Sequence, residues 1–198
     1  MNRKLKDKIQ GLADKYLQPF DAGYSLNGCC QSSISPAEGE YMHDFIIKHD
    51  LQNGIEIGTG PGYSGLYLGS ALKKFYTVDN CAIASSLHWD ESQVIAHWRK
   101  MFDEMGLIDV PLLKTVECSG LPKFDFAFID GDHTNDAPTK DIFSLIPLMA
   151  NNHHIFMHDT EGPYVREAII NAYKNGYKIE TIQFPANVGN YGLTRLWT

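Results

Sequence analysis

Cysteine is scarce in this chain: Cys29, Cys30, Cys81 and Cys118 are the only four in 198 residues. They form neither a CxxC metal pattern nor a disulfide framework. The adjacent Cys29-Cys30 pair reads as two ordinary thiols, so a reducing, cytoplasmic setting is the simplest expectation. No apolar run approaches the ~18 residues of a membrane span. The first residues, Met1 to Lys6, are basic but lack the apolar core of a signal peptide, so no membrane partner is expected. Positive charge is also short. Seventeen Lys and Arg stand against 24 Asp and Glu, a formal net charge of −7. That balance argues against broad phosphate-backbone binding, so no nucleic acid partner is expected. There is no internal repeat and no Pro/Gly/Ser-rich linker, and the length suits one domain. A hydrophobic share of 43% excludes wholesale disorder.

The first fifty residues read as a helical lid or extension. Leu5, Ile9, Leu12, Tyr16 and Leu17 recur at helical spacing. Residues 21–34 are loop-like. Ser35-Pro36-Ala37-Glu38 then gives an N-cap, a proline at the first helical position and a capping-box Glu. Tyr41, Phe45, Ile46 and Leu51 mark the buried side of that helix.

Residues 51–198 read as a single compact unit in which short apolar strands alternate with helices. The strands are expected at 54–57, 75–78, 112–116, 126–129, 155–157, 179–184 and 193–197. Helices are expected at 63–73, 91–105, 137–150 and 163–175. The clearest is 91–105, where Val94, Trp98, Met101, Phe102 and Met105 fall on one stripe. Such alternation implies an α/β fold, a parallel sheet with helices on both faces. The last two strands have only a short turn-rich connection, 185–190, and should pair antiparallel. In open sheets of this kind ligands sit at the carboxyl ends of the strands.

Two features stand there. After the first strand comes Glu56-Ile57-Gly58-Thr59-Gly60-Pro61-Gly62-Tyr63-Ser64-Gly65. Its glycines allow close ligand approach, and the helix start beyond them suits a carboxylate or phosphate. Residues 60–65 match the dinucleotide fingerprint GxGxxG, but two residues beyond the strand. Asp79 ends the second strand, where a carboxylate can accept both hydroxyls of a ribose. The second feature is acidic. Phe126–Ile129 leads into Asp130-Gly131-Asp132-His133, and Ile155–Met157 into His158-Asp159. If these strands are neighbours, Asp130 and Asp159 lie about 5 Å apart at the backbone. Close carboxylates share a proton, pair with a cation or bind a metal, and His133 and His158 are suited to proton transfer.

The pattern Glu56-x-Gly58-x-Gly60-x-Gly62, with the FAFIDGDHT segment and the later IFMHDT, resembles the class I S-adenosylmethionine-dependent methyltransferases. The resemblance covers about residues 33–198 and is to the O-methyltransferase branch, catechol O-methyltransferase-like or acting on sugars and natural products. It implies a Rossmann-like, seven-stranded sheet of order 3-2-1-4-5-7-6 behind the N-terminal extension. It further implies that Glu56 opens the cofactor motif and that Gly58, Gly60 and Gly62 line the methionine part of S-adenosylmethionine. Ser64 would hold its carboxylate, Asp79 the ribose, and Asn80 the adenine side, with Ser119 of Glu117-Cys118-Ser119 at the adenine edge. Asp130 would stand by both cofactor and acceptor. In metal-dependent members Asp130 and Asp159 match Mg²⁺ ligands, but Thr160 replaces the usual Asn. Either a metal or a base, His133 or His158, would then activate the acceptor hydroxyl of a small molecule. An NAD(P)-dependent oxidoreductase and a non-catalytic binding protein are the alternatives. The N-terminal helix would pack on the domain or on a second copy in a homodimer. Tyr24, Trp89, Tyr164 and Tyr191 are candidates for the pocket walls, with the 21–34 loop and the 185–192 turn as its roof.

Overall fold

A computed structural model describes residues 1–17, 34–81, 89–116, 120–184 and 192–198. Cys29, Cys30, Cys118, Ser119, Tyr24, Tyr191 and most of the expected roof lie outside these residues. The chain runs α1 (Arg3–Tyr16), α2 (Pro36–Lys48), β1 (Asn53–Ile57), α3 (Tyr63–Ala71), β2 (Lys74–Val78) and α4 (Glu91–Met105). It continues through β3 (Leu112–Leu113), β4 (Phe124–Ile129), α5 (Ala137–Leu145), β5 (Met149–Met157), α6 (Pro163–Lys174), β6 (Lys178–Ile182) and β7 (Leu193–Trp197). The seven strands form one sheet of order β3-β2-β1-β4-β5-β7-β6. All neighbouring pairs are parallel except those of β7 with β5 and β6. This is the expected topology.

One sheet face packs on α1 to α4, where Ile9, Leu12, Met42, Ile46, Trp98 and Phe102 share a core. The other packs on α5 and α6 through Ile142, Leu145, Val165 and Ala168. α1 therefore docks on its own chain, and Lys15 pairs with Glu104 of α4. No helix among the described residues is long and apolar enough to cross a membrane.

Several boundaries differ from expectation, three of them by more than two residues. β3 ends at Leu113, because it is an edge strand that pairs only with β2, and the chain leaves the sheet at Lys114. The helix expected to reach residue 150 becomes a 3-10 turn over Ile146–Leu148. Pro147 supplies no N–H there to continue the α-helical hydrogen-bond ladder. The fifth strand, expected at 155–157, begins at Met149, so Asn151-Asn152 lies within β5. The register shift between Phe124 and Phe126 absorbs the extra residues. His153 and His154 point to opposite faces of β5. His153 bonds the Ala150 carbonyl and the Tyr177 hydroxyl, while His154 sits against Phe45.

Candidate active site

The carboxyl ends of β1, β2, β4 and β5 open onto a cleft of about 730 Å³. At its floor the parallel ladder runs past the strand ends. Gly58 N–H donates to Val78, Asp130 N–H to Ile57 and His158 N–H to Ile129. Gly58 has φ +92°, and an added Cβ would overlap the Asp130 carbonyl. Only glycine allows β1 to turn this close to β4. Asp79 at the end of β2 braces the loop from the side. Its carboxylate accepts the Gly60 N–H at 3.0 Å and the Cys81 N–H at 2.6 Å, and still lines the cleft. Burial pushes its pKa up, while these N–H donors pull it down, with a net rise.

Glu56 and Ser64 lie beneath the loop. The Ser64 hydroxyl donates to Glu56, which also accepts the Thr77 hydroxyl at 2.8 Å, tying α3, β1 and β2 together. Neither residue lines the cleft; nor does Gly62, which abuts Met101 of α4. Burial pushes the Glu56 carboxyl up to about 8, against hydrogen bonds from Ser64 and Thr77, so it stays protonated at neutral pH. Gly65, the last glycine of the apparent dinucleotide fingerprint, faces Phe102. Two of that fingerprint's three glycines, Gly62 and Gly65, thus serve helix packing against α4.

At the other end β4 and β5 are neighbours, and the predicted quartet comes together. His133 stands between the two acids, with Nε2 3.4 Å from Asp130 and Nδ1 3.0 Å from Asp159. His158 Nδ1 lies 3.2 Å from Asp130 and 3.4 Å from Asp159. Asp159 itself has φ +53°, a left-handed backbone uncommon outside glycine and a sign of stored strain. Bonds to Asp130 and Asp159 raise His133 to about 9. Burial works against the charge of His158, yet Asp130 and Glu38 raise it well above the ordinary imidazole range. Burial likewise opposes the Asp130 charge, and the two imidazoles still lower it to about 2. Both histidines are therefore imidazolium at neutral pH.

The sequence expectation missed two acids. Glu38 of α2 reaches His158 Nε2 at 3.5 Å across the fold. Its sequence signal was only the capping box. Asp141 of α5 lines the cleft, where burial and then the Asp132 charge raise it to about 6. Of the described aromatic candidates, Trp89 packs on the core and Tyr164 is exposed; neither lines the cleft.

These shifts set a pH dependence of stability. Asp130 contributes above its ordinary value of 3.8, and that contribution is lost as pH falls toward 2. His133 contributes fully below 6.5 and less as pH rises through 9. Glu56 holds its proton more tightly when folded, so stability drops as pH rises from 4.5 to 8. The melting temperature is thus expected to be highest near about pH 5 and to decline toward pH 9. Glu56→Gln, which mimics the protonated acid, should flatten the decline between pH 5 and 8 in thermal unfolding. An unchanged decline would contradict this account of Glu56.

No curated protein matches the chain by sequence. Among solved structures it is similar to the O-methyltransferase TomG of Streptomyces achromogenes, involved in tomaymycin synthesis and bound to SAM. The identity is 16% and the TM-score 0.70, over 96% of this chain and 88% of that one. It is also similar to an O-methyltransferase of Bacillus cereus in complex with SAH, at 18% identity and a TM-score of 0.71, over 94% and 90%. A putative caffeoyl-CoA O-methyltransferase of Staphylococcus aureus gives 12% and 0.66, over 95% and 91%. At these identities the likeness shows the fold. A family model described as a methyltransferase domain matches residues 55–160, just over half the chain, and includes both the glycine loop and the acidic cluster. The chain belongs to this methyltransferase domain family, as a class I S-adenosylmethionine-dependent methyltransferase.

Proposed function

We propose that this chain transfers a methyl group from S-adenosylmethionine to a hydroxyl oxygen of a small molecule such as a sugar, a catechol or a natural product, in a cytoplasmic setting. The observation that carries the reading is the Asp130–His133–Asp159 cluster facing the glycine loop across one cleft. The cofactor supplies an electrophilic methyl group on a sulfonium. The residues present fit it: Asp79 offers the free lone pairs of its carboxylate to the ribose hydroxyls, beside Asn80. Gly58 and Gly60 leave the floor open, and Asp130 presents a negative charge complementary to the sulfonium. Ser64 would act through the loop it braces with Glu56.

His133 is the residue of the quartet suited to take the acceptor proton. His158 is 3% exposed and surrounded by Glu38, Asp130 and Asp159, so it stays charged and fixes the two Asp residues. His133 is one-third exposed. A second positive charge brought beside Asp130 competes with its imidazolium and brings its pKa down toward neutrality, where it can act as a base. Alignment of the acceptor over the donor provides much of the remaining acceleration.

A divalent cation fits the same place. Asp130, His133 and Asp159 each offer a ligand atom, and these lie within 4.8 Å of one another. They would hold it, and it would lower the pKa of the acceptor hydroxyl. Thr160 Oγ1 packs against Gly192, so the third donor here is an imidazole. With an imidazole among its donors, that set suits Mg²⁺ less well than an all-oxygen set would.

The test is thermal shift and calorimetry with S-adenosylhomocysteine and with NAD. Stabilisation by S-adenosylhomocysteine alone is expected, and a shift with NAD alone would overturn the reading. Asp79→Ala removes the ribose acceptor and frees two loop N–H groups. It should weaken S-adenosylhomocysteine about 10- to 100-fold, the scale of a lost charged hydrogen bond. The acceptor is then found by measuring S-adenosylhomocysteine formation against sugars, catechols and natural-product alcohols, each with Mg²⁺, Mn²⁺ or chelator.

A further inference from the structure

We propose that Trp98 of α4 is a positioning residue for the cofactor, its indole N–H holding the Gly60–Pro61 peptide of the glycine loop from behind the cleft. The proposal rests on the reading of that loop as the S-adenosylmethionine site. Three observations carry it.

Trp98 Nε1 donates to the Gly60 carbonyl at 2.9 Å. No other described residue supplies a donor to that carbonyl. The next residue is Pro61, which has no N–H, so the carbonyl is the only hydrogen-bonding group of the 60–61 peptide. One bond thus fixes the direction of this peptide, and a side chain 38 positions away supplies it.

The second observation is where the two partners stand. Gly60 lines the cleft and Trp98 does not. The Gly60 N–H donates to Asp79 Oδ2 at 3.0 Å on the cleft side, while its carbonyl turns back to α4. The residue is clamped between the carboxylate suited to a ribose and an indole of the core. α4 also backs the loop one step further on. A Cβ on Gly62 would run into Met101 and lie 3.3 Å from Trp98 Cδ1.

The third is the choice of residue. Val94, Trp98, Met101, Phe102 and Met105 form the buried stripe of α4. Apolar packing alone asks nothing of position 98 that a phenylalanine would not provide. Trp98 is 2% exposed, and an indole N–H buried this far needs an acceptor. That acceptor belongs to the loop, so the packing of α4 and the geometry of the loop are set together. Without the bond the 60–61 peptide is free to rotate, and the Gly60 N–H that Asp79 holds shifts with it. Trp98 thus acts on the cofactor through Gly60 and Asp79.

The experiment is calorimetric titration of the full-length protein with S-adenosylhomocysteine, well below the melting temperature of each variant. Trp98→Phe keeps a ring in the stripe and removes the donor. It should raise the Kd about 5- to 10-fold, the scale of one lost hydrogen bond. Phe102→Leu is the comparison for packing. Phe102 sits in the same stripe against Gly65 of α3 and gives the loop no hydrogen bond. That variant should lower the melting temperature and leave the Kd within about two-fold of wild type. An unchanged Kd for Trp98→Phe overturns the proposal and leaves Trp98 as a core ring. So does an equal rise in Phe102→Leu, because affinity would then follow packing. Should Trp98→Phe not fold, Trp98→benzothienylalanine decides, since sulfur replaces the N–H in a side chain of the same shape. A raised Kd there supports the proposal, and a Kd equal to wild type overturns it. Wild-type protein that binds no S-adenosylhomocysteine overturns instead the reading of the loop as the cofactor site.

Discussion

Asp130→Ala is expected to lower methyl transfer by at least about 10²-fold, the low end of what a positioned proton-transfer group contributes. It is also expected to destabilise the fold by about 3 kcal/mol, the cost of stripping one partner from a buried charge pair. Both effects have one origin. Asp130 faces His133 and His158 together, and each imidazole holds its charge partly because of it. Without that carboxylate His158 keeps Glu38 and Asp159 but loses its nearest counter-charge, at 3.2 Å. Asp130→Asn separates shape from charge: it should keep most of the packing and lose most of the turnover. Initial rates of S-adenosylhomocysteine formation and urea unfolding at pH 7 read the two effects. Turnover within a few-fold of wild type in both variants would refute the proposed centre.

Gly58→Ala is expected to be as damaging while leaving every charged side chain in place. The new methyl group overlaps the Asp130 carbonyl, which is backbone and has no rotamer to give way. Overpacking of this kind costs about 1–3 kcal/mol, and the left-handed φ of +92° adds about 1–2 kcal/mol for any L side chain. Relief requires β1 and β4 to part at their carboxyl ends, where the Asp130 N–H bond to Ile57 lies. Loss of S-adenosylhomocysteine binding in calorimetry, with a melting temperature several degrees lower, is the expected result. Gly11→Ala, in α1 with open space around it, is the matched control and should change neither. An alanine at 58 that binds the ligand as tightly as wild type would show that the close approach is not needed.

These predictions depend on features of very different visibility. The β1 glycine loop, Asp79 and the two Asp-His segments were legible because each is local. A run of apolar residues sets a strand, and the residues just beyond its last position must stand at its carboxyl end. The Ser35–Glu38 capping box was legible for the same reason, and the structure forms both of its hydrogen bonds. Its nearness to His158 was not legible. Glu38 meets His158 across 120 positions of sequence, and no local pattern encodes a contact between a helix start and a strand end on another part of the chain. Ser64 shows the reverse limit. Its place at the helix start pointed to the cofactor, yet its hydroxyl turns to Glu56 beneath the loop. Backbone position was predictable, but side-chain direction was set by packing. Boundaries failed where pairing decided them, at the short edge strand β3 and at Asn151-Asn152 within β5.

The scarcity of thiols, and of positive charge for nucleic acid, holds for the whole chain and needed no coordinates. By itself the sequence determined the α/β class and which strand ends carry acids, because periodicity and turn chemistry act over neighbouring residues; the sheet order was implied only by the family resemblance of its motifs. Only the tertiary structure decided the charge state of the site. Asp130 and Asp159 converge on two imidazoles, Glu38 stands beside one of them, and the proximity of these carboxylates holds both rings protonated against the cost of burial. Those are properties of separation in space, which a linear chain does not contain until it is folded.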